Sequence, residues 1–242
     1  MKKAFAIILA LCMVLSLAAC GGGKTTPANN SNAAPSNNSA NTVPANSGSN
    51  TPANSGSNTP ADWLIKPTGS LTRGTVTKDG YTNEYFNLNF KVPAGWAAVS
   101  DEKLIEQFGY SADALGDGFQ KAVDSGTVNT YLCINSKTSE NIIIACTKNR
   151  GISAMTEIDI ARALSDAFGK RGDEVVKNEI ATVNFMGKEM KVVDYSFKNG
   201  SKVTHINQIW LVAETDYAMI VNFTTVGEEL PTDLFAAFSK LK

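Results

Sequence analysis

Between Lys177 and Thr225 the chain offers four strand-length runs in series, at residues 177–185, 189–197, 203–213 and 217–225. They are separated only by Met186-Gly187-Lys188, Lys198-Asn199-Gly200 and residues 214–216. Turns this short force consecutive strands to lie antiparallel. Whatever else the chain contains must therefore be arranged around an antiparallel meander.

The preceding segments read as a mixture of strands and helices. Residues 71–78 have strand character, and Lys78-Asp79-Gly80 is a turn signal. Phe86, Leu88, Phe90 and Val92 alternate with Asn87, Asn89 and Lys91, the pattern of a half-buried strand, which Pro93-Ala94-Gly95 ends. Ser100 can cap a helix to about Phe108 with Leu104, Ile105 and Phe108 on one face. A second helical stretch spans residues 111–123, weakened by Gly116 and Gly118. Residues 127–135 and 141–148 form a hairpin across the polar 136–140. Thr156 with Asp159 three positions on starts a helix whose apolar face is Ile160, Ala161, Leu164 and Phe168, and Gly169 can end it. Residues 231–241 read as a final helix with Leu234, Phe235, Phe238 and Leu241 inward. The order predicts an α+β fold, most simply one antiparallel sheet covered by helices. The folded part, residues 62–242, is about 180 residues in length, enough for one core.

The start of the chain is of another kind. Met1-Lys2-Lys3 is basic, and residues 4–17 are uncharged and apolar. That is the length of a signal-peptide core and short of the roughly 20 residues of a permanent span. The run ends in Leu17-Ala18-Ala19-Cys20, which resembles the lipobox of bacterial lipoproteins. The resemblance implies cleavage after Ala19, a diacylglycerol thioether on Cys20, and residence on the outer face of the plasma membrane. Residues 21–61 are built from Asn, Ser, Thr, Pro, Ala and Gly, with one charge, Lys24, and the eight-residue unit 44–51 recurs at 52–59. Such a segment cannot bury enough apolar surface to fold. Cys20 to Ala61 is thus expected to be a spacer that lifts the domain into a cell wall, which favours a Gram-positive host.

Within the domain, Phe90-Lys91-Val92-Pro93-Ala94-Gly95-Trp96 followed by a helix resembles the opening of the PsbP/Mog1-like superfamily, and the later long helix, meander and C-terminal helix are similar too. The resemblance covers about residues 81–242. It implies an α/β/α sandwich, with helices on both faces of the sheet, and mostly non-catalytic work. It supplies no shared catalytic residue.

Composition excludes several function classes. Removing Lys2 and Lys3 takes the formal charge from −1 to −3, so no basic surplus exists to hold nucleic acid. His205 is the single histidine, so a serine triad or zinc site must use it. The mature chain keeps Cys133 and Cys146 besides Cys20. With Ser136 opposite Ile143, the two cysteines face each other across the hairpin, as a disulfide, a two-thiol site or two buried hydrophobes. Asp113, Asp117, Gly118 and Asp124 fall at positions one, five, six and twelve of a calcium-loop pattern. Leu115 occupies position three, and position twelve is Asp instead of Glu; the same residues also read as a polar helix with a glycine break. Lys148, Arg150, Lys170 and Arg171 bracket strand and helix ends as a small anion patch or a solvated rim. Trp96 and Trp210 read as core, and Trp63 as an anchor for the spacer or a contact for wall polymer. Phosphate-loop, dinucleotide, nucleophile-elbow and zincin motifs are missing, and no cofactor is expected. Three functions remain: a non-catalytic binding or accessory module meeting cell-wall polymer or a surface protein, a carboxylate-dependent wall hydrolase, and a small substrate-binding lipoprotein of a transporter.

Overall fold

The computed structural model describes residues 61–135, 137–149, 151–152, 155–170, 173–199, 201–213, 216–226 and 230–241. The leader, Cys20 and the spacer up to Pro60 lie outside these residues, as do Arg150 and Arg171. The described part is α+β with predominantly antiparallel strands.

The meander forms as expected: β8 (Glu174–Phe185), β9 (Lys188–Asn199), β10 (Lys202–Ala213) and β11 (Tyr217–Val226) pair in sequence. The hairpin β6 (Val128–Asn135) and β7 (Asn141–Lys148) joins through β7 beside β11, and β5 (Trp96–Ala98) pairs with β6. The sheet order is β5-β6-β7-β11-β10-β9-β8. Pairing of β9 with β10 runs only as far as Val193 opposite Gln208. The bare remainder of β10 is taken by the two-residue β1 (Leu64–Ile65), in parallel. Trp63 secures this junction: its carbonyl accepts the Val212 amide, its indole N–H donates to the Lys191 carbonyl, and its ring stacks 6.3 Å from Trp210. Trp63 is fully buried, so its place is in the core and not on wall polymer.

Alternation along the strands sends large side chains to both faces. On one face Tyr195 and Phe197 lie under Phe168 of α3 (Glu157–Gly169), with ring centroids 5.0 and 4.5 Å away. The Thr156–Asp159 capping box that starts α3 is fully formed, and Ile160, Ala161, Leu164 and Phe168 are its buried residues. On the other face Tyr131 and Phe223 meet a second sheet of β2 (Thr75–Thr77), β3 (Gly80–Asn83), β4 (Leu88–Lys91) and β12 (Phe238–Ser239). That face is covered largely by strands where helices were expected.

The second sheet revises three expectations. Residues 71–78 contribute only the short β2, because the chain turns back at Lys78-Asp79 into β3. Phe86 belongs to a turn and not to the alternating strand: the Asn83 side chain accepts its amide, and Asn87 adopts φ +50°. The final helix is only α4 (Thr232–Phe235), after which the chain pairs with the open edge of β4. That edge supplies partners, with Lys91 N–H bonded to Ala237 O, and Phe238 settles between Phe90 and Phe223. The helical stretch 111–123 is likewise split into a 3-10 turn (Ala112–Leu115) and α2 (Phe119–Ser125), with the break at Gly116–Gly118.

Candidate functional site

Where the two sheets and the helical segment meet, one arginine holds them together. Arg73 precedes β2, and its guanidinium forms a fork with Asp101, the first residue of α1 (Asp101–Phe108), with both N–H···O distances 2.6 Å. The same guanidinium donates to the Thr130 carbonyl of β6 at 3.0 and 3.1 Å and to the Leu115 carbonyl at 3.5 Å. Arg73 is only 10% exposed, whereas Asp101 is 45% exposed. The hydrogen bonds from Arg73 hold the Asp101 carboxyl below its ordinary pKa of 3.8.

The loop carrying Arg73 is fixed from behind. The Tyr81 hydroxyl donates to the Arg73 carbonyl at 2.5 Å, and the buried Asn83 amide donates to the carbonyls of Thr72 and Arg73. Gly74 sits at φ +89°, and a Cβ there would lie 2.3 Å from the Thr82 carbonyl oxygen. Only glycine meets both conditions.

In front of this clamp opens a cleft of about 630 Å³, a size common among ligand sites. One wall is the stretch Leu71 to Val76; the other includes Asp101, Leu115 to Asp117, Phe119 and Gln120. Arg73 is spent on four acceptors, so it offers the cleft no free donor for an anion. The cleft's reactive lining is hydroxyl, amide, backbone and carboxylate, from Thr72, Thr75, Gln120 and Asp117, which suits a hydroxyl-rich or amide-bearing ligand.

The structure draws the other candidates apart. Cys133 lies opposite Ile142, and Cys146 opposite Val128. Along β7 the two cysteine positions are thus separated by roughly 13 Å at the strand rise, beyond the reach of a disulfide. The expected register failed because the turn closes at Asn135, whose amide binds Glu140 O, and because a bulge intervenes between Asn129 and Tyr131. Both cysteines are free and buried, and burial pushes the Cys133 thiol up to about 12 and the Cys146 thiol higher still.

The calcium-loop reading of Asp113, Asp117 and Asp124 also fails on geometry. Asp113 turns back to accept the Gly118 amide at 3.1 Å. Asp117 lines the cleft, and Asp124, within α2, binds Lys148 at 2.8 Å and the Tyr217 hydroxyl at 3.1 Å. No group of three or more metal-ligating side chains forms among the described residues. Lys148 is thereby an ion-pair partner, while Lys170 is exposed at the end of α3. His205 is buried within β10, on the face shared by Asn207 and opposite Thr225. Trp210 is fully buried and Trp96 half-buried.

Arg73 and Asp101 carry no local signal in the sequence, and neither does a second polar group on the meander. Asp194 is almost fully buried and accepts from Lys177 at 2.6 Å and from Asn207 at 2.9 Å. Its hydrogen bond raises the Lys177 pKa above the usual 10.5. Asp194 pairs with Asn207 and Glu179 across adjacent strands, so the group braces the sheet. Set against known proteins, the chain matches no family model and no curated protein.

Proposed function

We propose that this chain is a lipoprotein anchored through Cys20 to the outer face of a plasma membrane, with a non-catalytic binding module of the PsbP/Mog1-like sandwich type at the end of its spacer. The lipobox and the polar repeat support the address. The antiparallel sheet with α3 on one face, and the Phe90–Trp96 motif between β4 and β5, support the fold reading. The observation that carries the binding role is the polar cleft beside Arg73, whose size and lining suit a segment of cell-wall polymer. A hydrolase reading has one point in its favour, since Asp101 and Asp117 line the same cleft. Binding is favoured because both Asp101 oxygens are held by Arg73 at 2.6 Å, which commits that carboxylate to a structural partner.

The test has two arms. Cys20→Ala should move the protein from the membrane fraction to the medium; retention in the membrane would refute the anchor. The chain from Gly21 onward should co-sediment with purified wall polymer and lose that ability when Gln120→Ala and Asp117→Ala are combined. A chain that stays in the supernatant, or a double variant that binds as well as the parent, would refute the binding role. Release of soluble wall fragments by the parent chain would support the hydrolase instead.

A further inference from the structure

Three strands end or begin at one hollow, and each brings a lysine to it. Lys66 follows β1, Lys188 opens β9 and Lys240 follows β12. The hollow has a volume of about 280 Å³, and buried Phe86, Met190 and Leu211 form its floor. Apart from the lysines, Asn87 is the one polar residue in its lining, and no carboxylate lines it. The Asp62 carbonyl accepts from Lys188 Nζ, while the Asp62 carboxylate accepts the Lys191 amide. An ammonium carries three donors, so Lys188 keeps two. Lys66 and Lys240 are exposed and form no ion pair among the described residues. Burial holds the Lys188 ammonium below its ordinary pKa of 10.5; Asp62 opposes that shift and Lys240 adds to it. Cations gathered over an apolar floor, in a chain with a formal charge of −1, repel one another until an anion joins them.

Apolar space continues beyond the lysines. Met186, in the turn between β8 and β9, is a wall of this hollow and also of a second one of about 480 Å³ that adds Val183, Phe235 and Phe238. A methionine side chain adapts readily to what passes it. We infer that the hollow binds an amphiphile with one anionic head, carboxylate or phosphate, seated among Lys66, Lys188 and Lys240, and an acyl chain that runs over Phe86 and Met190 and past Met186. A bare anion leaves the floor in water, and a neutral apolar ligand leaves the cations unpaired; an anionic amphiphile satisfies both. The hollow shares no lining residue with the cleft beside Arg73, so it stands independently of the wall-binding role.

Photolabelling in membranes of cells that express the full chain tests the site. One arm uses hexadecanoic acid with a diazirine on its chain, the other a phosphatidylglycerol with the same group. Label should map to peptides containing residues 64–66, 86–87 or 186–190. Excess decanoate should compete, and decyltrimethylammonium, with the same tail and the opposite charge, should not. Lys66→Glu combined with Lys240→Glu should lower labelling by about fivefold, and because both side chains are exposed the fold is kept; the corresponding double arginine variant should label like the parent. Labelling in the first arm identifies a free fatty acid and labelling in the second a membrane lipid, and either supports the site. No label in either arm, label spread evenly along the chain, equal competition by the two decyl compounds, or a glutamate variant labelled as strongly as the parent would overturn the proposal.

Discussion

Replacing Arg73 with Ala removes the one side chain that joins β6, α1, the 3-10 turn and the loop before β2, and its cost can be worked out from the bonds lost. Two charge-assisted bonds to Asp101 disappear, but Asp101 is 45% exposed and regains water, so that loss is small. The Thr130 carbonyl is in a harder position. It accepts two of the guanidinium N–H groups, and Thr130 itself is fully buried. A buried acceptor left unpaired costs about 1–3 kcal/mol, and the bonds to a charged donor add about 1.5–3 kcal/mol. The total is about 3–5 kcal/mol, in line with breaking a largely buried ion pair from its more buried side. Asp101→Asn keeps Arg73 and its carbonyl bonds, so it should cost only about 1 kcal/mol. Urea unfolding, followed by the fluorescence of the buried Trp63 and Trp210, measures both on the chain from Gly21 onward. An Arg73→Ala loss under about 1 kcal/mol, or an Asp101→Asn loss as large as that of Arg73→Ala, would refute the assignment of Arg73 as the clamp.

The pH dependence of the clamp follows from Asp101. Its pKa is lower folded than unfolded, so its contribution is complete above the ordinary 3.8 and is lost as pH falls through the folded value; Asp101→Asn should flatten the acid limb of the stability curve in a urea series from pH 6 to pH 2. Gly74→Ala should destabilise by at least about 2 kcal/mol, because φ +89° and the Thr82 carbonyl both oppose a Cβ, and thermal melts will show it. Cys133 and Cys146 should resist alkylation in the native protein, and each should take one label in denaturant without reductant; a missing pair of labels would mean a disulfide after all.

The parts of the fold that were legible in sequence are those decided locally. The meander follows from short polar turns between alternating runs, and α3 follows from Thr156, Asp159 and four apolar residues at helical spacing. What escaped was decided by distant partners. β1 exists because β9 stops short along β10, a fact 148 residues from Leu64 in Val212. Leu234, Phe235, Phe238 and Leu241 have helical spacing, yet the unpaired edge of β4 offered the backbone better bonds. The cysteine register slipped on both sides of a bulge: Cys133 meets Ile142, four positions from Cys146, and Cys146 meets Val128, five positions from Cys133. The cleft was invisible for the same reason: Arg73 finds Asp101 and Thr130 at separations of 28 and 57 residues, and nothing near Arg73 in the chain announces them.

Hydrogen–deuterium exchange of the chain with and without soluble wall fragments tests the binding role most directly. Under the binding role, bound fragments slow exchange at residues 71–76 and 115–120, along the two walls of the cleft, and Gln120→Ala with Asp117→Ala abolishes the effect. Unchanged exchange along both walls, or protection confined to another surface, would contradict it.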